Sequence, residues 1–260
     1  MILYKYCSWN RHTHDNLLES VLYFAAAAGF NDPLDMLPIL NCDVTKAQVI
    51  QHMTKLFIRS GLRADEARKH AKYAATHDPS FSTLQGRQQM AQESMDGIRR
   101  TTGVCCFSSK NDIDLMWAHY ADSYCGVCVE YNIPDGEALS AVSSNPKYSL
   151  MKIRPKKVIY TDTRPVVEAF SMDDDDTKFL NLFTKSRQWE YECEWRMITP
   201  DYIGKVHHKS QFLTGIILGS RISDQDEKAV RSLVGRLASR PIIYRARLNP
   251  QGYGLTIVLA

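Results

Sequence analysis

Lys185–Thr199 reads KSRQWEYECEWRMIT. With a two-residue period, Glu192, Glu194 and Arg196 fall on one side of a strand, and Cys193, Trp195 and Met197 on the other. One side is apolar and the other charged. A sheet tolerates two carboxylates and a guanidinium in a row only when water, a partner or a substrate meets them. The stretch is therefore either an exposed strand, whose Glu–Arg ladder contributes roughly a few tenths of a kcal/mol per pair, or a site. Either way it is the central strand around which the other elements are read.

Residues 2–7, ILYKYC, alternate apolar and polar as a first strand, and His12–Ser20 reads as a short helix capped by Thr13. Val21–Ala26 is a second strand. In Gly29-Phe30-Asn31-Asp32-Pro33, Gly supplies backbone freedom and Asn and Asp bond their own backbone. Asn31 and Asp32 then either line a pocket behind the first two strands or only shape the loop. From Thr45 to Arg100 the apolar spacing turns helical, for three helices, the third from Phe81 or Leu84.

Gly103–Ser108 returns to strand character. Asp112–Asp122 is a short aromatic-rich helix with His119 beside Trp117 and Tyr120, so that His119 is either a core residue or part of a pocket. Gly126–Asn132 is a strand in which Glu130 needs a partner, an Arg or Lys being the simplest. A short helix near Glu137–Val142, a strand at Lys157–Thr161 and four aspartates, Asp173–Asp176, ahead of a helix at Lys178–Lys185 lead to the central strand. After it come a linker with His207 and His208, a buried strand at Leu213–Leu218, a helix from Asp226 to Leu237 capped by Ser223 or Asp224, and strands at Ile242–Leu248 and Leu255–Val258. The expected class is α+β: a mixed or antiparallel sheet of about eight strands in one domain over residues 1–260, with a helical insertion at about 45–100.

Composition narrows the function. At 260 residues, 44% hydrophobic and 23% charged, the chain is an ordinary globular one, and no window approaches a membrane span. The N-terminus lacks the layout of a signal peptide, so a soluble, cytoplasmic protein with no membrane partner is expected. Seven cysteines lie mostly in apolar runs and read as reduced core thiols; Cys125-Gly-Val-Cys128 has no second pair or close His for zinc, so no metal is assigned. A net charge of +3 permits an anionic substrate. No phosphate loop, dinucleotide fingerprint, zinc-protease motif or nucleophile elbow is present. What remains is a set of polar and aromatic residues on strand ends and turns: Tyr4, Tyr6, Asn31, Asp32, His119, Tyr120, Glu130, Trp189, Glu192, Glu194 and Arg196. Such a set suits a cationic, sugar-like transition state stabilised by a carboxylate.

The pieces LYKY, LYF then FNDP, S-x-K-N-D with MWAHYAD, GVCVEY, VIY, KSRQWEYECEWR and IILG occur in that order from Leu3 to Gly219. In this they resemble the bacterial family catalogued as domain of unknown function 2971, whose members occur among bacterial defence and mobile-element genes. The order of an aromatic-bearing first strand, a short helix, a second strand and a late strand with Glu-x-Glu is also similar to ADP-ribosyltransferases. That likeness implies that Tyr4 or Tyr6 holds NAD, that Glu194 is the catalytic carboxylate with Glu192 beside it, that Arg196 binds a phosphate or fixes Glu192, that Asn31 and Asp32 shape a ribose pocket, and that His119 and Tyr120 line it. The chain departs from that pattern in lacking a His or Arg in the first strand and a Ser-Thr-Ser on a middle strand.

The expectation is an ADP-ribosyltransferase-like or NAD-cleaving effector, a toxin or anti-phage component, with NAD or a similar nucleotide as substrate and a nucleic acid or protein as acceptor. Two alternatives remain. One is a metal-dependent nucleic-acid hydrolase built on the Glu pair with Asp32 or Glu130; the other is a non-catalytic sensor of a phage or host component.

Overall fold

A computed structural model describes residues 1–134, 137, 139–140, 152–170 and 181–260. The aspartate run Asp173–Asp176 and the start of the helix expected at Lys178 lie outside the described residues, as does Val142. In chain order the strands are β1 (Ile2–Cys7), β2 (Val21–Ala26), β3 (Ile39–Asn41), β4 (Gly103–Ser108), β5 (Val127–Asn132), β6 (Leu139–Ser140), β7 (Lys152–Ile153), β8 (Lys156–Lys157), β9 (Ile159–Thr161), β10 (Val166–Glu168), β11 (Thr184–Ser186), β12 (Glu194–Thr199), β13 (Gly204–His207), β14 (Leu213–Leu218), β15 (Ile242–Leu248) and β16 (Leu255–Leu259). The helices are α1 (Arg11–Leu18), α2 (Lys46–Arg59), α3 (Ala64–His77), α4 (Pro79–Ser82), α5 (Leu84–Thr101), α6 (Asp114–Tyr120) and α7 (Asp224–Arg236). No described helix is long and apolar enough to cross a membrane.

The chain divides into two compact units, and the fold is α+β. The first unit comprises Met1–Ala26, Thr102–Val158 and Arg187–Ala260. Its mixed sheet runs β13-β2-β4-β1-β5-β14-β15-β16, with β12 paired to β4 and β8 to β12. Pairing is antiparallel except for β14 and β15, which the chain joins through α7 as a parallel crossover. One face packs Leu3, Phe107, Val129, Tyr131 and Ile216 against Leu17 of α1 and Val230 and Leu233 of α7. The other face carries Tyr6, Cys128, Ile217 and Ala246 beneath Met116 and Trp117 of α6. Both helices on the first face start from side-chain caps: Asn10 accepts from Thr13 N and Ser223 from Asp226 N. The cap of α1 is thus Asn10 rather than Thr13.

The backbone after α6 decides how that helix lies. Asp122, Ser123 and Tyr124 take left-handed φ of 48°, 51° and 70°, which reverses the chain into β5. The turn is clamped by Gly126 N to Ala121 O at 2.8 Å and Arg221 N to Tyr124 O at 3.0 Å. A Cβ on Gly126 would sit 2.2 Å from Cys7 O, and one on Gly219 would sit 2.1 Å from Tyr124 O. Backbone packs on backbone there, and only glycine fits.

The second unit comprises Ala27–Thr101 and Ile159–Ser186. Ala67, Ala71 and Ala75, four residues apart on one face of α3, pack with Val49 and Met53 of α2, Ala91 of α5 and Phe170. Thr45 and Gln48 form a capping box at the start of α2. Two short parallel ladders, β3 with β10 and β9 with β11, complete the unit. Sequence patterning anticipated neither ladder, since three-residue strands carry too few alternations to register. Thr184–Ser186 is strand where a helix was expected, and His207 ends a strand rather than lying in a linker.

Gly219→Ala should destabilise the first unit by about 3 kcal/mol, lowering Tm by roughly 6–12 °C, because the obstructing atoms are backbone and cannot rotate away. Gly235→Ala, a helical position with nothing within 4 Å, should leave Tm unchanged or raise it. Calorimetry of the two variants checks both; equal effects would remove the backbone clamp from the account.

Candidate functional site

A single line of cross-strand partners crosses the first unit. Glu194 of β12 stands opposite Ser108 of β4, Ser108 opposite Tyr4 of β1, Tyr4 opposite Glu130 of β5, and Glu130 opposite Gly215 of β14. Directly opposed residues project to the same face, so Glu194, Ser108, Tyr4 and Glu130 share the face that α6 covers. With strands about 4.8 Å apart, the backbones at Glu194 and Glu130 are about 14 Å apart. The two carboxylates are held by different chemistry.

Glu194 is in a buried ion pair. Arg196 Nε donates to its Oε1 at 2.7 Å and Nη2 to its Oε2 at 2.9 Å, with the arginine side chain at 0% exposure. Such a two-pronged bond holds both groups ionised and oriented. The charged side of the stretch is therefore enclosed, and the exposed Glu–Arg ladder does not occur. Arg196, expected to bind a phosphate or fix Glu192, holds Glu194. On the neighbouring strand, burial and the Glu194 carboxylate push the Cys106 thiol up, so it stays protonated.

Glu192 does not belong to the strand. It ends a 3-10 turn, Arg187–Glu192, and Cys193 follows with a left-handed φ of 48° that breaks the two-residue alternation. Its carboxylate reaches the site another way: Tyr120, the last residue of α6, donates to Oε1 at 2.7 Å. Ser108 Oγ donates to the Glu192 carbonyl at 2.6 Å, tying this turn to the row.

Glu130 is held by hydroxyls. Thr214 Oγ1 donates to its Oε1 at 2.8 Å, and Thr214 is in position because the β14–β5 register slips between Leu213 and Gly215, leaving Thr214 as the extra residue of a bulge. On the other side is the Tyr4 hydroxyl; burial first, then the Glu130 carboxylate, push Tyr4 up to about 12, so at neutral pH it is a donor. A Cβ on Gly215 would lie 3.1 Å from the Tyr244 ring and 3.2 Å from Glu130 Oε1, so the glycine gives both side chains room to lie across the strand. Among the described residues Glu130 has no cationic partner, contrary to the Arg or Lys expected for it. Its two partners stabilise the charge without cancelling it.

The structure thus brings Tyr4, Tyr120, Glu192, Glu194 and Arg196 to one face of one unit. Tyr6 shares the face but is occupied: its ring stands edge-on to Trp117 with centroids 5.3 Å apart, and its hydroxyl donates to Lys110 O at 3.0 Å. His119 is exposed at the end of α6, not in the aromatic core, with its ring 6.3 Å from that of Tyr120. Asn31 and Asp32 belong to the second unit; Asn31 is exposed, and Asp32 is buried with Oδ1 accepting from Leu34 N at 2.9 Å. Ser108 and Thr214 went unnoticed in the sequence. A carboxylate inside an apolar strand was the visible signal for Glu130, but nothing local announces a bulge. No group of three His, Cys, Asp or Glu side chains among the described residues is placed to hold a metal.

The model of the family described as "Protein of unknown function (DUF2971)" matches residues 116–197. That match runs from Met116 in α6 to Met197 in β12 and takes in Tyr120, Glu130, Glu192, Glu194 and Arg196. No curated protein and no solved structure matches the chain.

Glu194→Gln removes the charge that meets the enclosed Arg196 guanidinium in two-pronged geometry and should cost roughly 3–5 kcal/mol of stability. Tyr120→Phe removes one hydrogen bond at the edge of the site and should cost about 1 kcal/mol. Urea unfolding ranks them, and a Glu194→Gln protein as stable as the parent would disprove the role given to the ion pair.

Proposed function

We propose that the chain is an ADP-ribosyltransferase-like or NAD-cleaving effector, a toxin or anti-phage defence protein acting on the bond between nicotinamide and ribose. The observation that supports this reading is the row across the sheet, in which the Glu130 carboxylate is met by the Thr214 and Tyr4 hydroxyls and, among the described residues, by no cation. When that bond breaks, its electron pair leaves with nicotinamide and the sugar carbon becomes cationic. An oriented carboxylate lowers the energy of that cation. The sequence pattern gives this role to Glu194, but Arg196 offsets the charge of Glu194. Glu130 is the better donor of negative potential, and the proposal places it against the cation. Glu192, oriented by Tyr120, then takes the proton from water or an acceptor hydroxyl as the new bond to the sugar forms.

Incubation of the purified protein with NAD, reading nicotinamide by mass with and without lysate or oligonucleotide, tests the reading. Release should fall about a hundredfold or more in Glu130→Gln, with Tm unchanged because the Gln side chain can still accept from Thr214 and Tyr4. Glu194→Gln is the poorer test, since its loss of stability confounds its loss of rate. No release by the parent under any condition would overturn the reading; full release by Glu130→Gln would return the role to the Glu192–Glu194 pair.

The second unit supports a nucleic acid as acceptor. Between Lys46 and His77 the α2–α3 hairpin carries seven Lys and Arg against Asp65 and Glu66, a net +5 in a chain whose total is +3. All seven, including Lys55, Arg59, Lys69 and Lys72, are exposed. Beside them Tyr73, 67% exposed, stacks on His77 with centroids 4.4 Å apart, a ready platform for an unpaired base. Single-stranded oligonucleotide binding should weaken steeply with salt, and changing Lys55, Lys69 and Lys72 together to Gln should reduce the slope of log K against log salt by about 2. Unchanged slopes in a fluorescence anisotropy titration would exclude the hairpin.

A further inference from the structure

The second unit holds a recess of about 210 Å³, formed where Asp32–Pro38 meets the Thr161–Pro165 turn and Asn181–Ser186. Its volume is below the roughly 300–1,000 Å³ of pockets for drug-sized ligands and suits a single ring. Asn181 lines it at 5% exposure, and its Oδ1 is enclosed with no hydrogen-bond partner among the described residues. A buried amide oxygen left so costs about 1–3 kcal/mol, and folded proteins seldom retain one without a use for it. The side-chain torsion that turns an Asn amide is soft, so Oδ1 can swing into the recess when a donor arrives there.

The charges of the lining identify the donor. The charged groups of the lining are Asp32, Asp162, Arg164 and Lys185. Both cations are committed: Arg164 donates to Leu37 O at 2.9 Å and Pro38 O at 3.0 Å, and Lys185 Nζ lies 3.6 Å from Asp35 Oδ2 with both side chains at 5% exposure or less. An anion is not what such a site requires. Carboxylate, amide and hydroxyl groups (Asp32, Asn181, Thr184) face an apolar wall of Leu34, Leu37 and Pro38. Vicinal hydroxyls, each both donor and acceptor, answer the polar groups, and the C–H face of a sugar ring answers the wall. We infer that this recess binds a neutral, polyhydroxylated ring of monosaccharide size, with one hydroxyl donating to Asn181 Oδ1. The inference does not rest on the NAD reading, because a free sugar and the ribose of a nucleoside present the same hydroxyls.

Saturation-transfer NMR on the full chain with D-ribose, adenosine and inorganic phosphate tests it. Transfer to ribose protons is expected from ribose, adenosine or both, and the pattern tells which source the recess takes. Asn181→Leu should weaken binding at least tenfold while holding or raising Tm, since it removes an unsatisfied polar group. Should Asn181→Leu fail to fold, Leu37→Trp, which fills the recess and leaves the amide in place, should abolish the transfer. Absence of transfer from both polyols, transfer unchanged in a folded variant, or displacement by phosphate would overturn the inference. None of these outcomes depends on whether nicotinamide is released.

Discussion

Arg196 carries a charge it cannot shed in a place without solvent, and the first unit is arranged around that fact. A guanidinium enclosed in a sheet is stable only when a carboxylate meets it in good geometry, and Glu194, two residues back on the same face, does so through both oxygens. The pair then constrains its neighbours. Full pairing of β12 with β4 keeps both charges over the sheet, Ser108 lies opposite Glu194, and the turn before β12 is tied back through the Glu192 carbonyl. Replacing the pair with apolar residues would suit stability as well or better, so its presence at one end of a polar row is more naturally tied to a site than to the core.

The same face shows a second way to keep a carboxylate in a sheet. Glu130 is met by hydroxyls, one from a bulge residue and one from the first strand, and neither carries charge. At Glu194 the field is largely cancelled within the pair, whereas at Glu130 it persists. A site that stabilises a transient cation needs the second arrangement, with the first beside it as rigid support. Tyr120 at the end of α6 holds Glu192, and α6 is in turn held by the left-handed turn clamped between Gly126 and Gly219.

The second unit is organised on other terms. Its helices join through small residues, Ala67, Ala71 and Ala75, which allow close approach and leave the long basic side chains outside. Its polar recess encloses the Asn181 amide. A polyanion on the basic hairpin and a neutral ring in the recess are different chemistries, and one unit can serve both because the basic side chains of the hairpin are exposed while the two cations of the recess are committed to Asp35 and to backbone carbonyls.

Periodicity sufficed for β1, β2, β4, β5 and β14, whose alternating or continuously apolar runs span six residues, and for α2, α3, α5 and α7, of which α2 and α7 also carry side-chain caps. It also singled out Tyr4, Tyr120, Glu192, Glu194 and Arg196, because polar groups on otherwise apolar elements are visible in one dimension. Three things were decided only in three dimensions. The alternation through Glu192 ended at a left-handed Cys193, a choice of backbone that no side chain there dictates. The partner of Glu130 came from a bulge over eighty positions away in the chain, and the recess around Asn181 came from three segments, the first of them more than a hundred residues from the other two. Residue types and local spacing determine which elements form and where polar groups sit on them; which of those groups meet, and whether a charge is cancelled or kept, depends on the register between distant strands.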